Sequence, residues 1–364
     1  MRHLAVIASL FLSFPLFADI IDFGQAGKYH AFIKENYSVS SSDVEGRIAV
    51  GGNLLVDGQY DIGAKIIDFA MGDGPSLVVG GNIEKINPSG NLAVYQHHKA
   101  GETPELGDAI IGGTLTGTLN DVRSLTQNSD SLPVDFNSAF SHLENLSQQL
   151  SARTAYGSVE DNGWALIFSV DENVVPKNGV YVFNVTQQQS ESEFYINTNG
   201  MAEDATVVFN ISNDTGSSVI DLSSRGMVYI TNDSAPTSST NPLSNKFIAG
   251  EANTPVPFQL LYNFYGASQL NLDIALYGSI LAPTADIAAN GGQMFGQVIG
   301  KSWQANRAFQ TNYNPFQPTG SPATSVPEPS TFIIFAVAFL MMLSRNTLSK
   351  IRSKLTLKQF SSFA

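Results

Sequence analysis

Cysteine is absent from the 364 residues. No disulfide can brace the chain, and thiolate metal sites and thiol chemistry are excluded in any compartment. Charge is scarce: 14% of residues are charged, and the formal net charge is -13. A chain so poor in bases is a weak ligand for nucleic acid or an anionic membrane surface. Histidine occurs five times, as His3, His30, His97, His98 and His142. There is no HExxH pair, and adjacent His97 and His98 would face opposite ways in a strand, so zinc has no signature. Long apolar runs are missing too; none reaches the roughly twenty residues of an ordinary membrane-spanning helix.

The charge that is present lies unevenly. Residues 345–364 carry five bases and no acid, whereas 19–344 holds thirteen bases against all thirty-two acids. Two unlike environments are implied. The chain starts MRHLAVIASLFLSFPLFAD, a basic residue followed by an apolar run from Leu4 to Phe17. This reads as a secretory signal peptide over 1–18, cleaved after Ala18. Near the other end VPEPS, Val326 to Ser330, precedes the apolar run Thr331 to Leu343. Thirteen helical residues span about 20 Å, against about 30 Å of hydrocarbon. A short transmembrane helix over 331–344 is expected, with snorkelling bases and a cytoplasmic basic tail.

Val-Pro-Glu-Pro-Ser, a short apolar helix and a basic end resemble the PEP-CTERM sorting signal of Gram-negative bacteria. The resemblance implies an exosortase-type membrane peptidase as partner, with Pro327, Glu328 and Pro329 as its recognition element. It also implies transient inner-membrane association, then delivery to the cell surface, the outer membrane or the extracellular space. One departure stands out: about 20 residues follow the apolar run, where the family usually has a handful. The Pro, Ser and Thr of 314–325 read as an extended linker. The folded body is therefore expected over 19–313.

Within that body a short phrase recurs. IAVGGN occupies 48–53, LVVGGN 77–82 and AIIGGT 109–114. Repeats at such spacing favour a solenoid. Apolar runs of three to six residues, bounded by Gly, Asn and Asp, read as short strands with turns demanding positive φ. The expected fold is mainly β, a right-handed parallel β-helix (solenoid), with a β-sandwich as runner-up. One segment departs from this pattern. Phe136, Ala139, Phe140, Leu143, Leu146 and Leu150 fall at helical spacing, with Asp135 as N-cap. A long amphipathic α-helix is expected to pack alongside the solenoid.

Three blocks, SDVEGRIAVGGN (42–53), FNSAFSHLENLSQQL (136–150) and LYNFYGAS with IALYGSILAPTADI (261–287), resemble the choice-of-anchor A domain, over roughly 22–313. That resemblance implies an extracellular adhesive or matrix protein with a β-helical body, and it supplies no catalytic residues.

The chemical signatures are weak. Neither a P-loop, a dinucleotide fingerprint nor a GxSxG elbow is present. Asp43, Glu45 and Arg47 alternate, so in a strand they would share a face, with Arg47 bridging both acids as a structural network. Calcium is the best small-ion candidate, at Asp57, Asp61 and Asp73, although no EF-hand order is present; no other cofactor is implied. Asp108, Asp121 and Arg123 are the acids and base an enzyme would recruit. Thr114, Thr116 and Thr118 form a single threonine row of the kind an ice-binding face repeats. For glycan binding the candidates are Trp303, Tyr313 and Tyr265, whose rings could stack on sugars. The leading reading is a non-catalytic surface or matrix adhesin whose partner is an extracellular polysaccharide or surface protein. The alternatives are a polysaccharide-degrading enzyme on the same scaffold and a self-associating matrix protein.

Overall fold

The computed structural model describes residues 21–68, 71–170, 179–202, 205–212, 216–222, 228–231 and 259–317. The leader 1–18, the linker from 318 onward and the sorting segment 326–364, with Pro327, Glu328 and Pro329, lie outside the described residues. The described chain falls in one compact unit, Met1–Ser321.

Short strands of mostly three to eight residues stack in parallel, in register, along three ladders. The first aligns Leu125, Ala109, Leu77, Ile48, Ala31, Val298, Ile280, Tyr262, Phe209 and Phe183 on successive rungs. The second aligns Leu115, Ile83, Leu54, Tyr37, Trp303, Ile287, Leu270 and Ile220. In the third, Leu276, Met294, Thr311, Val44, Ile62 and Val94 are aligned. These are the inward positions, and nearly all belong to one continuous apolar core. Parallel pairing rules out the β-sandwich alternative for these strands; VYVFNV and TVVFNI, which suggested it, pair in parallel through Phe183 and Phe209.

The order of rungs is not the order of the sequence. The strands Ala31–Ile33, Tyr37–Val39 and Ser42–Val44 sit mid-stack, with residues 48–62 on one side and 298–312 on the other. From there the chain winds outward to Ser124–Thr126, and the helix Phe136–Ser151 follows. The strands from Val180 onward then build inward from the far end until Val298–Ala305 meets the first rung. A separate four-stranded sheet comprises Gly157–Asp161, Ala165–Val170, Glu193–Asn197 and Val228–Thr231.

The paired glycines answer to the close approach of neighbouring rungs and not to a left-handed backbone. Gly51, Gly52, Gly80, Gly81, Gly112 and Gly113 do not have positive φ. A Cβ on Gly80 would run into the carbonyl of Gly51, and one on Gly112 into that of Gly80. On Gly81 and Gly113 it would meet the Oδ1 atoms of Asn53 and Asn82. Each of those oxygens accepts the backbone N–H of the next rung: Asn82 N to Asn53 at 2.8 Å and Thr114 N to Asn82 at 2.9 Å. The first glycine yields to the neighbouring backbone and the second to an asparagine ladder, so the motif is a stacking device.

The sixteen-residue helix starts as the sequence indicates, with Ser138 N donating to Asp135 Oδ1 at 3.1 Å. Its buried face comprises Ala139, Phe140, Leu143, Leu146, Ser147 and Leu150. Phe32 stacks on Phe136 and Phe140, with ring centroids 5.5 and 5.3 Å away. Burying an aromatic ring of this kind contributes roughly 2–3 kcal/mol.

Candidate binding face and end groove

The outward positions of the ladders decide what the molecule offers to a partner. On the first ladder one outward row reads Ile110, Val78, Ala49, Phe32, Ile299, Leu281, Asn263, Asn210, Asn184. The helix seals much of it. Val78, Ala49, Phe32, Ile299 and Leu281 join the helix in a second apolar cluster. Asn263 Nδ2 donates to Ser147 O and to Asn210 Oδ1, both at 2.9 Å, while Asn210 Nδ2 donates to Leu150 O at 2.9 Å. This face is occupied by the protein itself.

The second ladder's outer side is open. Its two outward rows are Thr114, Asn82, Asn53, Asn36, Ser302, Asp286, Gln269, Val219 and Thr116, Glu84, Leu55, Ser38, Gln304, Ala288, Asn271, Asp221. Not one of these sixteen residues is buried. Eight rungs at about 4.8 Å give a strip about 34 Å long. Its side chains are held by their neighbours: Ser302 Oγ donates to Asp286 Oδ1 at 2.6 Å, Lys301 Nζ lies 3.0 Å from Asp286 Oδ2, and Asn271 Nδ2 donates to Asp221 Oδ1 at 2.5 Å. The threonine pair Thr114 and Thr116 is not repeated on the neighbouring rungs. Beside Thr114 and Thr116 stand Asn82 and Glu84, then Asn53 and Leu55.

The expected Asp43–Glu45–Arg47 network takes another form. The strand ends at Val44, so the alternation that would align the three is broken by the bend at Glu45 and Gly46. Arg47 donates to the carbonyls of Met71 and Gly72, at 2.8 and 2.5 Å, and bridges neither acid. Glu45 pairs with Lys65 at 2.6 Å and accepts Tyr313 N at 2.9 Å. Asp43 lies beside Asp61 on adjacent rungs. Burial, with repulsion from Glu45 and Asp61, raises its pKa to about 6.

The aromatic candidates are also corrected. Trp303 is 2% exposed, stacked on Tyr37 and edge-on to Phe309, because it points inward on the second ladder. Tyr313 is 6% exposed and packs on His30. Rings used up in the core cannot stack on a sugar. Tyr265 is half-buried, in the turn after Gln259–Asn263. Asp57 and Asp73 are exposed and Asp61 half-buried. Among the described residues no group of three or more His, Asp or Glu is placed to hold a metal.

Where the first ladder ends, Asp108, Ile110, Arg123, Ser124 and Thr126 line a groove of about 360 Å3, with Asp73–Pro75 and Gln96 as its other walls. Arg123 clasps Asp108 through Nε at 2.9 Å and a terminal nitrogen at 2.5 Å, and Ser124 Oγ donates to the same carboxylate at 2.6 Å. This clasp holds the Asp108 pKa down at about 2. Asp121 stands elsewhere, bridged to Ala93 on the third ladder, so the three residues an enzyme would recruit are not assembled.

Sequence reasoning missed both asparagine ladders and the open strip. The signals were there: the asparagine after the first two glycine pairs, at 53 and 82, and the Asn that follows Phe or Tyr at 184, 210 and 263.

A stacked parallel scaffold with an open polar strip has the form of a binding module. The family model described as "Putative Ice-binding-like adhesive domain" matches residues 22–311, and the chain belongs to that family. No curated protein matches the sequence. Among solved structures, an ice-binding protein from the Antarctic ascomycete Antarctomyces psychrotrophicus is similar at 14% identity, over 82% of this chain and 98% of that one, with a TM-score of 0.28. Among the described residues no helix is long and apolar enough to cross a membrane.

Proposed function

We propose that the chain is an exported, non-catalytic adhesin that binds an extracellular polysaccharide or surface protein through the open strip of its second ladder. The observation that carries this reading is the strip itself: two outward rows over eight rungs, none of them buried. A long solenoid face suits an extended polymer. The ordered amides, hydroxyls and carboxylates along it suit a hydroxyl-rich one. On this reading the body is a parallel β-helix of the choice-of-anchor A type, delivered by the signal peptide 1–18. The PEP-CTERM segment 326–364 is processed by an exosortase, leaving the body at the cell surface or in the extracellular matrix. The binding needs no cofactor.

The test is co-sedimentation of the purified full chain, in detergent, with the host's own extracellular polysaccharide, followed by sizing of the polymer. Retention on intact polymer is expected, unchanged by chelation. Placing long charged side chains at mid-strip, Ser38→Arg with Ala288→Arg, is expected to weaken retention about tenfold or more. Shortened polymer would make the protein an enzyme instead. Retention lost on chelation would restore Asp57, Asp61 and Asp73 as calcium ligands.

A further inference from the structure

The first face is not covered along its whole length. Val78 is sealed beneath the helix cluster, but Ile110 on the next rung is half-buried and Thr126 beyond it is exposed. The end groove lies here. Its volume of about 360 Å3 falls in the range of small-molecule sites, about 300–1,000 Å3. We infer that this groove seats one sugar ring of an uncharged polysaccharide, a second contact distinct from the open strip. The inference rests on the adhesive reading for its polymer, but its site is independent of the strip.

Four observations lead to an uncharged sugar. The first is charge. Arg123 is matched by Asp108 at hydrogen-bond distance, Asp73 is balanced by Arg47, and the chain carries a net -13. A uronate, a phosphate or a nucleic acid would find no uncompensated cation in the groove and would meet the repulsion of the whole chain. The second is the set of polar groups. Asp108 is pinned by Arg123 and Ser124, so a guanidinium and a carboxylate share one fixed plane. A guanidinium has five donors and this carboxylate takes two of them, leaving a planar donor–acceptor edge. Gln96 and Thr126 add an amide and a hydroxyl, each able to donate and accept. Vicinal hydroxyls of a ring need such paired groups.

The third observation is the apolar share of the lining, Ile110 and Pro75, which suits the C–H face of a ring. Finally, the row running inward from the groove stays polar. Asp108 is followed in register by Ser76, whose Oγ is buried without a hydrogen-bond partner, and then by Arg47. A cation finds no cluster of three acidic or histidine ligands here among the described residues. The groove is also open to solvent, so a ring within a longer chain can enter without being enclosed.

The experiment titrates the full chain in detergent with cellotetraose, maltotetraose, chitotetraose and tetragalacturonate, by calorimetry. At least one uncharged tetrasaccharide is expected to bind, and tetragalacturonate is not. Thr126→Trp, which fills the groove from an exposed position, is expected to raise Kd about tenfold or more, as is Arg123→Ala. Glu160→Ala, exposed on the separate four-stranded sheet and remote from groove and strip, should leave that Kd unchanged. An unchanged melting temperature for Thr126→Trp shows that the variant folds, and Arg123→Lys supplies a second, milder change of the same group. Absence of binding by all three uncharged sugars, or binding indifferent to both groove variants, would overturn the inference. Polymer retention that survives such a result leaves the adhesive reading intact. Tetrasaccharide binding without polymer retention removes the strip reading and leaves the groove standing.

Discussion

The two halves of the stack solve one problem with opposite arrangements. Both present two outward rows to the first face. In the half built from residues 31–126, the row through Phe32 is apolar, and its neighbour, Asp108, Ser76, Arg47 and His30, is polar. In the other half Ile299 and Leu281 still continue the Phe32 row, and over the far rungs, 180–263, the assignment is exchanged. There Val182, Val208 and Leu261 form the apolar row, and Asn184, Asn210 and Asn263 the polar one. One helix covers both halves because its face changes to match. Phe140 meets Phe32, whereas Ser147 Oγ donates to Asn263 Oδ1 at 2.6 Å. The difference teaches that registry of the stack under its helix is set by where the polar row falls, and each half should fail in its own way.

The largest effect is expected at the glycine corners of the first half. Gly80→Val drives a side chain into the backbone carbonyl of Gly51, and no rotamer avoids it. A loss of about 3 kcal/mol or more is expected by urea unfolding. Gly163 is the control. It has φ +84° with nothing within 4 Å of its Cβ, so Gly163→Ala should cost only the left-handed backbone penalty of about 1–2 kcal/mol. Equal losses at both positions would refute the stacking account of the glycine pairs.

In the second half the corresponding weak point is Asn210, buried and bonded to Leu150 O, Asn184 and Asn263. Asn210→Ala leaves the Asn263 amide short of a partner and loosens the end of the helix. A cost of about 2–3 kcal/mol is expected. Hydrogen exchange should rise at the helix C-terminal turn while the Asn53–Asn82 corner stays protected. Protection lost uniformly would mean that the halves are not separate in this sense.

A pH series sharpens the comparison inside the first half. His30 is fully buried, and desolvation pulls its pKa down to about 3, only partly offset by the backbone at Gly296 and Asn312. The unfolded chain, with an ordinary value of about 6.5, binds that proton more readily. His30 therefore adds stability above about pH 6.5 that is lost as pH falls toward 3. Asp43 acts with the opposite sign. Burial, then Glu45 and Asp61, raise it to about 6, against the relief given by Gln310 and Lys65. The folded protein holds that proton more tightly, so stability falls as pH rises from about 4 to about 6. Between pH 4 and 6 the two slopes oppose. Asp43→Asn should make melting temperature climb more steeply with pH there, and His30→Gln should make it decline. If both variants keep the parent slope, other groups set the pH profile.

Much of the stacking was legible in the sequence, because GGN and GGT recur beside apolar triplets at 48–53, 77–82 and 109–114. The helix was legible from its spacing and Asp135. The insertion of 298–312 beside 31–44 was not. Pairing across so many residues leaves no local periodicity to read, and each partner strand only reads as a short apolar run. The site suffered from the same limit. Alternation identifies which residues share a face but not which face is inside. Trp303 and Tyr313 were therefore assigned outward although they lie in the core. The open strip was hidden for a related reason: its sixteen residues come from eight separate strands, and no single segment looks like a site.

The smallest expected effect is the most discriminating. Asn53 Oδ1 accepts Asn82 N at 2.8 Å, at a half-exposed corner. Asn53→Ala returns that N–H to water and should cost about 0.5–1.5 kcal/mol. The same oxygen occupies the place a Cβ would take on Gly81, whose other near atoms belong to the Gly52 backbone at 2.9–3.0 Å. Gly81→Ala alone should therefore be costly, and in the Asn53→Ala background less so, with a favourable coupling of about 1 kcal/mol in a double-mutant cycle. No such rescue is available to Gly80→Ala, because its obstacle is the main chain of Gly51. Coupling at Gly81 without coupling at Gly80 would separate the two glycines of the repeat by cause. Equal coupling at both, or none at either, would mean that the asparagine ladder does not select the second glycine.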